Sequence, residues 1–387
     1  SLAGVPRMAL TATATRTVQD DIVAQLGLRR PLRLIGHPDR PNLRFRCLPR
    51  QQAAAQALEV IRRYPGEGGI VYAQTRKEVD TLAKQLRQAE VVAAAYHAGL
   101  SGDERQRVQS AFLAERIDVV VATIAFGMGI DRSNVRFVVH ANAPKSIEHY
   151  QQEAGRAGRD GLPADCLLLY SGADFAMHRR LATLDGPLSP QRDQALTRHL
   201  ADISRYAIAP VCRHRLLTEY FGEDYQPPTD DGCGACDVCL GETTMLPADE
   251  ALVAAQKIIS AVWRCQSRFG LGHIVNVLIG KSTDMTRRHR HEALSVFGLM
   301  SADGDRTVRL WADQLLVQGL LQQVWSDRFP LIALTDAGVI LCKQGGQVRL
   351  TTPPPKPSRA RKGKAPAAVA SSDWEDVDRE LFTPLRI

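Results

Sequence analysis

The feature that most constrains the fold is a series of short apolar runs set between helical stretches. Val119-Val120-Val121-Ala122 and Phe137-Val138-Val139-His140 are rich in β-branched residues and lack a polar face. Runs this short and unbroken read as strands buried on both sides, the pattern of a parallel sheet sandwiched by helices. Residues 69–72 and 91–96 read as two further strands. Residues 51–64, with Ala54, Leu58 and Ile61 inward, and residues 77–88 and 101–114 read as helices, the last with Ser101 as cap and Glu104 in the capping-box position. The alternation predicts an α/β domain built on a parallel sheet.

A loop leaving a buried parallel strand emerges at the carboxyl edge of the sheet, where open α/β folds place their sites. Here that loop is Thr123-Ile124-Ala125-Phe126-Gly127-Met128-Gly129-Ile130-Asp131, a glycine-rich turn ending in an acid. Further on, Gln152-Glu153-Ala154-Gly155-Arg156-Ala157-Gly158-Arg159-Asp160-Gly161 sets two arginines beside glycines. A helix over 146–155 would leave Arg156 and Arg159 on one side, because residues three apart share a helix face. Guanidinium forks stay charged and match phosphoryl oxygens in pairs, and glycines let the backbone approach. Standing alone, the decapeptide fits a solvated basic turn better.

Together these two segments resemble motifs V and VI of superfamily 2 helicases, and most closely those of the RecQ family of DNA helicases. The resemblance runs over roughly residues 5–350. It implies a RecA-like domain with ATP lying between it and a second motor domain. Arg156 and Arg159 would reach the γ-phosphate, with Gln152, Gly127 and Asp131 at the nucleotide. It also implies that Thr123 of motif V, the Gln74-Thr75-Arg76 loop and the His97-Ala98-Gly99 loop hold the phosphates of the translocating strand. Thr75, Arg76, His97 and Thr123 are thus the candidate DNA contacts of this domain, and hydroxyls, amides and a base or two suffice for sequence-blind contact. Arg76 also fits a solvated residue at a helix start. Residues 8–15 alternate apolar and hydroxyl side chains ahead of a helical pattern at Val18, Ile22 and Leu26. They read as a strand ending in a threonine-rich turn and resemble motif III, though hydroxyls on a polar strand face explain them too.

With 387 residues, 44% hydrophobic and 24% charged, the chain has enough apolar content for two or three domains and is excluded from the disordered class. The net charge of +7 suits a polyanionic partner, and suits many basic enzymes as well. No apolar run has the length of a membrane span, and residues 1–20 lack the layout of a signal peptide. No membrane partner is expected, and the location expected is cytoplasmic (nucleoid-associated) in a bacterium or nuclear in a eukaryote. The sequence has no G-x-x-x-x-G-K-[ST] phosphate loop and no strand followed by a magnesium-binding acidic box. In the family both precede motif III. ATP and Mg2+ are therefore expected in a complete enzyme, and the chain reads as the carboxyl-terminal part of a longer protein, inactive alone. Residues 1–36 read as a remnant of the first RecA-like domain. Residues 37–43, with two prolines, resemble the inter-domain linker, and 37–185 read as the second RecA-like domain.

Eight cysteines without an oxidising context point to metal or buried thiols. Cys233-Gly234-Ala235-Cys236-Asp237-Val238-Cys239 together with Cys212 supplies four thiolates, the set of a closed tetrahedral structural Zn2+ site. Cys47, Cys166, Cys265 and Cys342 read as buried apolar residues. Helices from Ser189-Pro190 and over 211–221 lead to the knuckle. Residues 186–245 are thus read as a helical zinc-binding module, which RecQ proteins carry at this point. The gap from Cys212 to Cys233 is longer than the family pattern by the loop 226–230, which puts loop shape in question more than metal binding. Arg213-His214-Arg215 is a further candidate phosphate contact.

Residues 251–269, 273–280, 291–297 and 311–319 read as helices, and two short strands flank Ser326-Asp327-Arg328. Helices closed by a β-hairpin make a winged helix, read over 246–352 and matching the winged-helix (RQC) domain of the resembled family. Arg287 and Arg288, in the run 287–291, are candidate DNA contacts or a solvated helix face. Trp325, Arg328 and Phe329 could form a strand-separating wedge by stacking on a terminal base pair. The two aromatics could instead pair across the hairpin. Residues 353–387 begin as a basic linker rich in Pro, Ala, Lys and Arg and end resembling the opening of a small helical (HRDC) domain.

The resemblance implies an ATP-dependent 3′–5′ DNA helicase of repair, recombination and replication. It would act as a monomer on single-stranded DNA and duplex junctions, with single-strand DNA-binding protein as a candidate partner. The rivals are a non-catalytic DNA-binding protein without a motor and an RNA helicase of the same superfamily. The zinc knuckle joined to a winged helix argues against the second.

Overall fold

The computed structural model describes residues 5, 7–11, 13–127, 131–184, 186–230, 232–325 and 330–352, with Trp325 described in its backbone only. In chain order the elements of the first part are α1 (Arg16–Gln25), β1 (Leu43–Pro49), α2 (Ala53–Ile61), β2 (Gly68–Tyr72), α3 (Arg76–Gln88), β3 (Ala93–Tyr96), α4 (Gly102–Leu113), β4 (Val119–Ala122), β5 (Val135–His140), α5 (Ile147–Ala154), β6 (Ala164–Tyr170) and α6 (Gly172–Ala182). The strands form one sheet in the order β1-β6-β5-β2-β4-β3, and every pairing is parallel.

Alternation of side chains across the pleat, with both faces covered, explains why β4 is apolar throughout and β5 is apolar over residues 137–139. Val119, Val121, Phe137 and Val139 point to one face and pack with Val79, Leu82 and Leu86 of α3. Val120, Ala122 and Val138 point to the other, with Phe112 of α4 and Tyr150 of α5. Gly69 is required by close approach, since a Cβ there would lie 1.9 Å from the Phe137 ring. The capping box of α4 forms as its sequence predicts, with Ser101 accepting from the Glu104 amide and Glu104 accepting from that of Ser101.

The second face also receives α7 (Pro190–Ile208) and α8 (Arg213–Tyr220), whose Ile203, Tyr206, Leu217 and Phe221 share one core with the sheet and with Cys236 and Val238. The four-cysteine segment is thus packed onto β1 and does not hang from a linker. Its backbone joins the sheet edge, with the Phe45 amide donating to Ala235 and the Asp237 amide donating to Phe45.

A second core holds α9 (Ala248–Arg264), α10 (Leu271–Leu278), α11 (Asp284–Arg288), α12 (Gly304–Val317), the antiparallel hairpin β7 (Leu321–Trp325) and β8 (Pro330–Leu334), and α13 (Asp336–Gln344). Gln314 of α12 ties this part to α7 by donating to the Ile208 carbonyl at 2.8 Å.

Two expectations change. Residues 8–15 form no strand among the described residues. Met8 and Leu10 are 80% and 84% exposed, because no neighbouring strand offers them a ladder, and α1 buries none of its residues. The helix expected over 291–297 is a single 3-10 turn, His291–Ala293, because Arg290 adopts a left-handed conformation (φ +56°) that ends helical continuation. The short α11 before it and α13 after the hairpin were not foreseen. No helix of the described residues is long and apolar enough to cross a membrane.

Candidate functional site

All six strands point the same way, so the loops after β2, β3, β4 and β5 share the carboxyl edge of the sheet. Thr123 follows β4 directly. Its amide donates to the Tyr96 carbonyl and its own carbonyl accepts from Phe126, which fixes the start of the loop. At the far end of that loop, Arg159 reaches the surface and its Nη1 lies 2.8 Å from Asp131 Oδ1. Arg156 turns inward and donates to the Gly127 carbonyl. A Cβ at position 127 would lie 2.2 Å from Arg156 Nη2, so the arginine needs glycine there. The Arg156 Nε is buried without a partner among the described residues. Gln152 is exposed, with Nε2 3.5 Å from the Thr13 hydroxyl. The helix that delivers these residues is held by a buried contact of 2.9 Å between His140 Nε2 and Glu153 Oε2. Arg156 with Gly127 and Arg159 with Asp131 thus hold the two ends of one loop, while the described contact of Gln152 is to Thr13. Residues 128–130 lie outside the described residues.

The candidate DNA contacts are placed unevenly. Arg76 is exposed and has no hydrogen bond or ion pair among the described residues. It lies beside the His97 turn, its Cδ 3.3 Å from where a Gly99 Cβ would be. Thr75 spends its hydroxyl on capping α3, donating to Glu78 Oε2 and accepting from the Glu78 amide. His97 is buried, with Nε2 3.0 Å from Asp80 and Nδ1 accepting the Gly99 amide. Both ring nitrogens are engaged, so this loop can offer a phosphate its backbone but not its imidazole. Asp174 and Asn142, which no motif in the sequence singles out, position the edge. Buried Asp174 pairs with Arg50 at 2.7 Å and accepts the Ala143 and Ser171 amides, and its carbonyl holds the Gln74 side chain. Asn142 accepts the Gln74 amide. The one signal in the sequence was the spacing of Ser171 and Asp174, which forms a capping box.

The sulfurs of Cys212, Cys233, Cys236 and Cys239 lie within 4.8 Å of one another. Tetrahedral zinc with Zn–S bonds of about 2.3 Å needs sulfurs about 3.8 Å apart, so small rotations suffice. The Ala235 amide donates to Cys233 Sγ and the Cys239 amide to Cys236 Sγ, contacts that favour thiolate. Hydrogen bonds from the Cys233 and Cys236 thiols hold Cys212 well below the ordinary thiol range. Gly232 is needed because a Cβ there would meet Cys239 Sγ at 2.6 Å. The residues fit a closed structural Zn2+ site. By contrast, burial pushes the Cys47 thiol up to about 12, consistent with a packing role.

Arg213 and His214 do not face solvent, so they are not phosphate contacts. Arg213 forms a two-pronged pair with Asp237, at 2.8 and 3.1 Å, inside the core. His214 is buried between Asp39 and the Leu43 carbonyl. Breaking a buried pair from one side leaves an uncompensated charge, and Asp237→Ala is expected to cost about 3–5 kcal/mol. Denaturant unfolding of the purified variant measures this, and a loss under about 1 kcal/mol would contradict it. In the winged helix, Arg288 is exposed while Arg287 bonds Ser282 and Asp284. Arg328 and Phe329 lie outside the described residues, as does the side chain of Trp325.

A parallel sheet with paired arginines behind its β4 loop, continuous with a cysteine module and followed by a winged helix, defines a class: the RecA-like motor domain of a helicase with accessory domains. Comparison narrows it. The helicase conserved C-terminal domain matches residues 52–161, the RecQ zinc-binding family residues 172–240 and the RQC domain residues 249–359. The ATP-dependent DNA helicase RecQ of Pasteurella multocida is 39% identical over 385 residues, covering 98% of this chain and 58% of the relative. The protein of the same name in Haemophilus influenzae is 38% identical over 390 residues, covering 100% and 60%, and that of Bacillus subtilis 38% identical over 293 residues, covering 76% and 48%. The chain belongs to the RecQ helicase family. It spans roughly half to three-fifths of the length of these relatives.

Proposed function

We propose that this chain supplies the arginine-finger side and the DNA-gripping surfaces of an ATP-dependent 3′–5′ DNA helicase, with the phosphate loop and magnesium ligands contributed by another motor domain. The observation that carries the reading is that both arginines are fastened to the loop that descends from Thr123. A residue that senses the γ-phosphate and a residue at the nucleic-acid edge are then two ends of one short segment. Arg159, being at the surface, turns from Asp131 to the γ-phosphate, while Arg156 keeps its hold on Gly127. Loss of that tie on hydrolysis frees the domains to part, and the loops carrying Thr75, Arg76, His97 and Thr123 advance along one strand. Arg287 and Arg288 hold the duplex. Structural Zn2+, held by Cys212, Cys233, Cys236 and Cys239, fixes the accessory module to β1. Exposed Met8, Leu10, Leu32 and Leu34 support the reading as surface that a second motor domain would cover.

The chain by itself is expected to bind a 3′-tailed DNA duplex yet show no DNA-stimulated ATP hydrolysis. Phosphate release at a fixed salt concentration, with and without single-stranded DNA, measures turnover, and fluorescence anisotropy measures binding. Turnover above a buffer blank sinks the division of labour. Equal affinity for the matching RNA favours an RNA substrate instead.

A further inference from the structure

We propose that the winged helix carries a second transition-metal site, formed by Cys265, His273 and His291. Three separate pieces of chain converge there. Cys265 closes α9, His273 sits in the first turn of α10, and His291 opens the 3-10 turn after α11. Their ligand atoms all lie within 4.8 Å of one another, with His273 Nε2 2.8 Å and Cys265 Sγ 3.7 Å from His291 Nδ1. Cys265 and His291 are buried and His273 half-buried.

The chemistry suits a borderline or soft cation. Burial, with His291 and His289 adding to it, pushes His273 down to about 4, and burial likewise lowers His291. Both rings are therefore neutral near pH 7, which is the state that ligates. They meet nitrogen to nitrogen, so without metal one proton must lie between two atoms that could both hold a cation. On zinc the two nitrogens would stand about 3.4 Å apart, so the pair opens by roughly half an ångström. Nothing in the group is a carboxylate, which disfavours Mg2+ and Ca2+ and favours Zn2+ or a similar ion. Burial raises the Cys265 thiol to about 11, so its proton leaves only when the ion binds. The proton between the rings moves to the outer nitrogen of its own ring. One proton is released per ion.

The surroundings hold the ligands in place. Phe269 stacks on the His273 ring at 4.3 Å and meets the His291 ring edge-on at 4.8 Å. Left-handed Gln266 and Ser267 turn the chain from α9 towards α10, and left-handed Arg290 turns His291 inward while Arg288 stays outside. A bound ion would pin the basic turn 287–290 to the domain core. His289 lies beside the group, edge-on to Phe269 at 4.9 Å and with its ring centroid 5.7 Å from that of His291.

The test is zinc stoichiometry of the full chain, stripped with chelator and dialysed against micromolar free Zn2+. Wild type should hold two equivalents, and Cys265→Ser and His291→Asn one each. The equivalent that remains reports an intact four-cysteine centre and so a folded protein. Cobalt substitution gives an independent readout, because Cys265→Ser should remove only the absorption of a site with a single thiolate. Wild type holding one equivalent overturns the proposal whatever the variants do, and so do two equivalents in both variants. Neither result touches the four-cysteine centre, whose loss requires a change such as Cys236→Ser.

Discussion

Cys236→Ser is expected to empty the four-cysteine centre and to unfold the module around it. Cys236 is fully buried and belongs to the core that the sheet shares with α7 and α8. Its neighbours in sequence carry the attachment to β1, through the Ala235 carbonyl and the Asp237 amide, and Asp237 also neutralises buried Arg213. Structural zinc contributes about 10–16 kcal/mol in isolated zinc modules near neutral pH. That is comparable with the whole stability of a typical domain, about 5–15 kcal/mol. Serine is smaller and a poorer ligand, so the loss is of metal and not of space. Metal analysis should show the loss of one equivalent, and limited proteolysis should cut within 212–240 at a rate raised at least tenfold. Unchanged metal content with an unchanged cleavage pattern would reject the four-cysteine assignment.

How much of this was legible depended on whether the determining contact was local. The strands were legible because a parallel strand buried on both faces is mostly apolar, as Val119-Val120-Val121 is. The zinc knuckle was legible because three of its ligands lie within seven residues, and the α4 cap because Ser101 and Glu104 are neighbours. Arg213 and His214 were misread because exposure is the ordinary state of basic residues. Their partners, Asp237 and Asp39, lie far along the chain, and only the docking of the module on β1 brings them together. Cys265 is buried in the second core, as its isolation in the sequence implies, but its histidine neighbours are not legible there. His273 and His291 reach it only through two left-handed turns that no residue pattern announced. Residues 8–15 failed in the opposite sense. Their alternation is strand-like, but a strand needs a neighbour, and the described sheet ends at β1 and β3.

Arg159→Ala, in an enzyme containing both motor domains, is expected to lower ATP turnover by about a thousandfold or more, the effect of removing an arginine finger. Sequence does not rank Arg159 against Arg156, and the proposed reading gives them different tasks on the strength of their different settings. Arg156 is half-buried with its guanidinium packed on Gly127, so its replacement by Ala should disorder the loop that starts at Thr123 and weaken DNA binding together with turnover. Arg159 pairs with the exposed end of that loop, through a carboxylate that is 90% exposed. Surface ion pairs of this kind contribute about 0–1 kcal/mol, so the pair can be given up for a phosphate at little cost. DNA affinity of Arg159→Ala should therefore stay within about threefold of wild type at fixed salt, a change of well under 1 kcal/mol. Steady-state ATPase with saturating single-stranded DNA and anisotropy on the same preparations give the two numbers. Near-normal turnover in Arg159→Ala beside a collapse in Arg156→Ala would move the finger to Arg156. A parallel fall of DNA affinity and turnover in both variants would show that neither arginine acts on the nucleotide apart from the loop it holds.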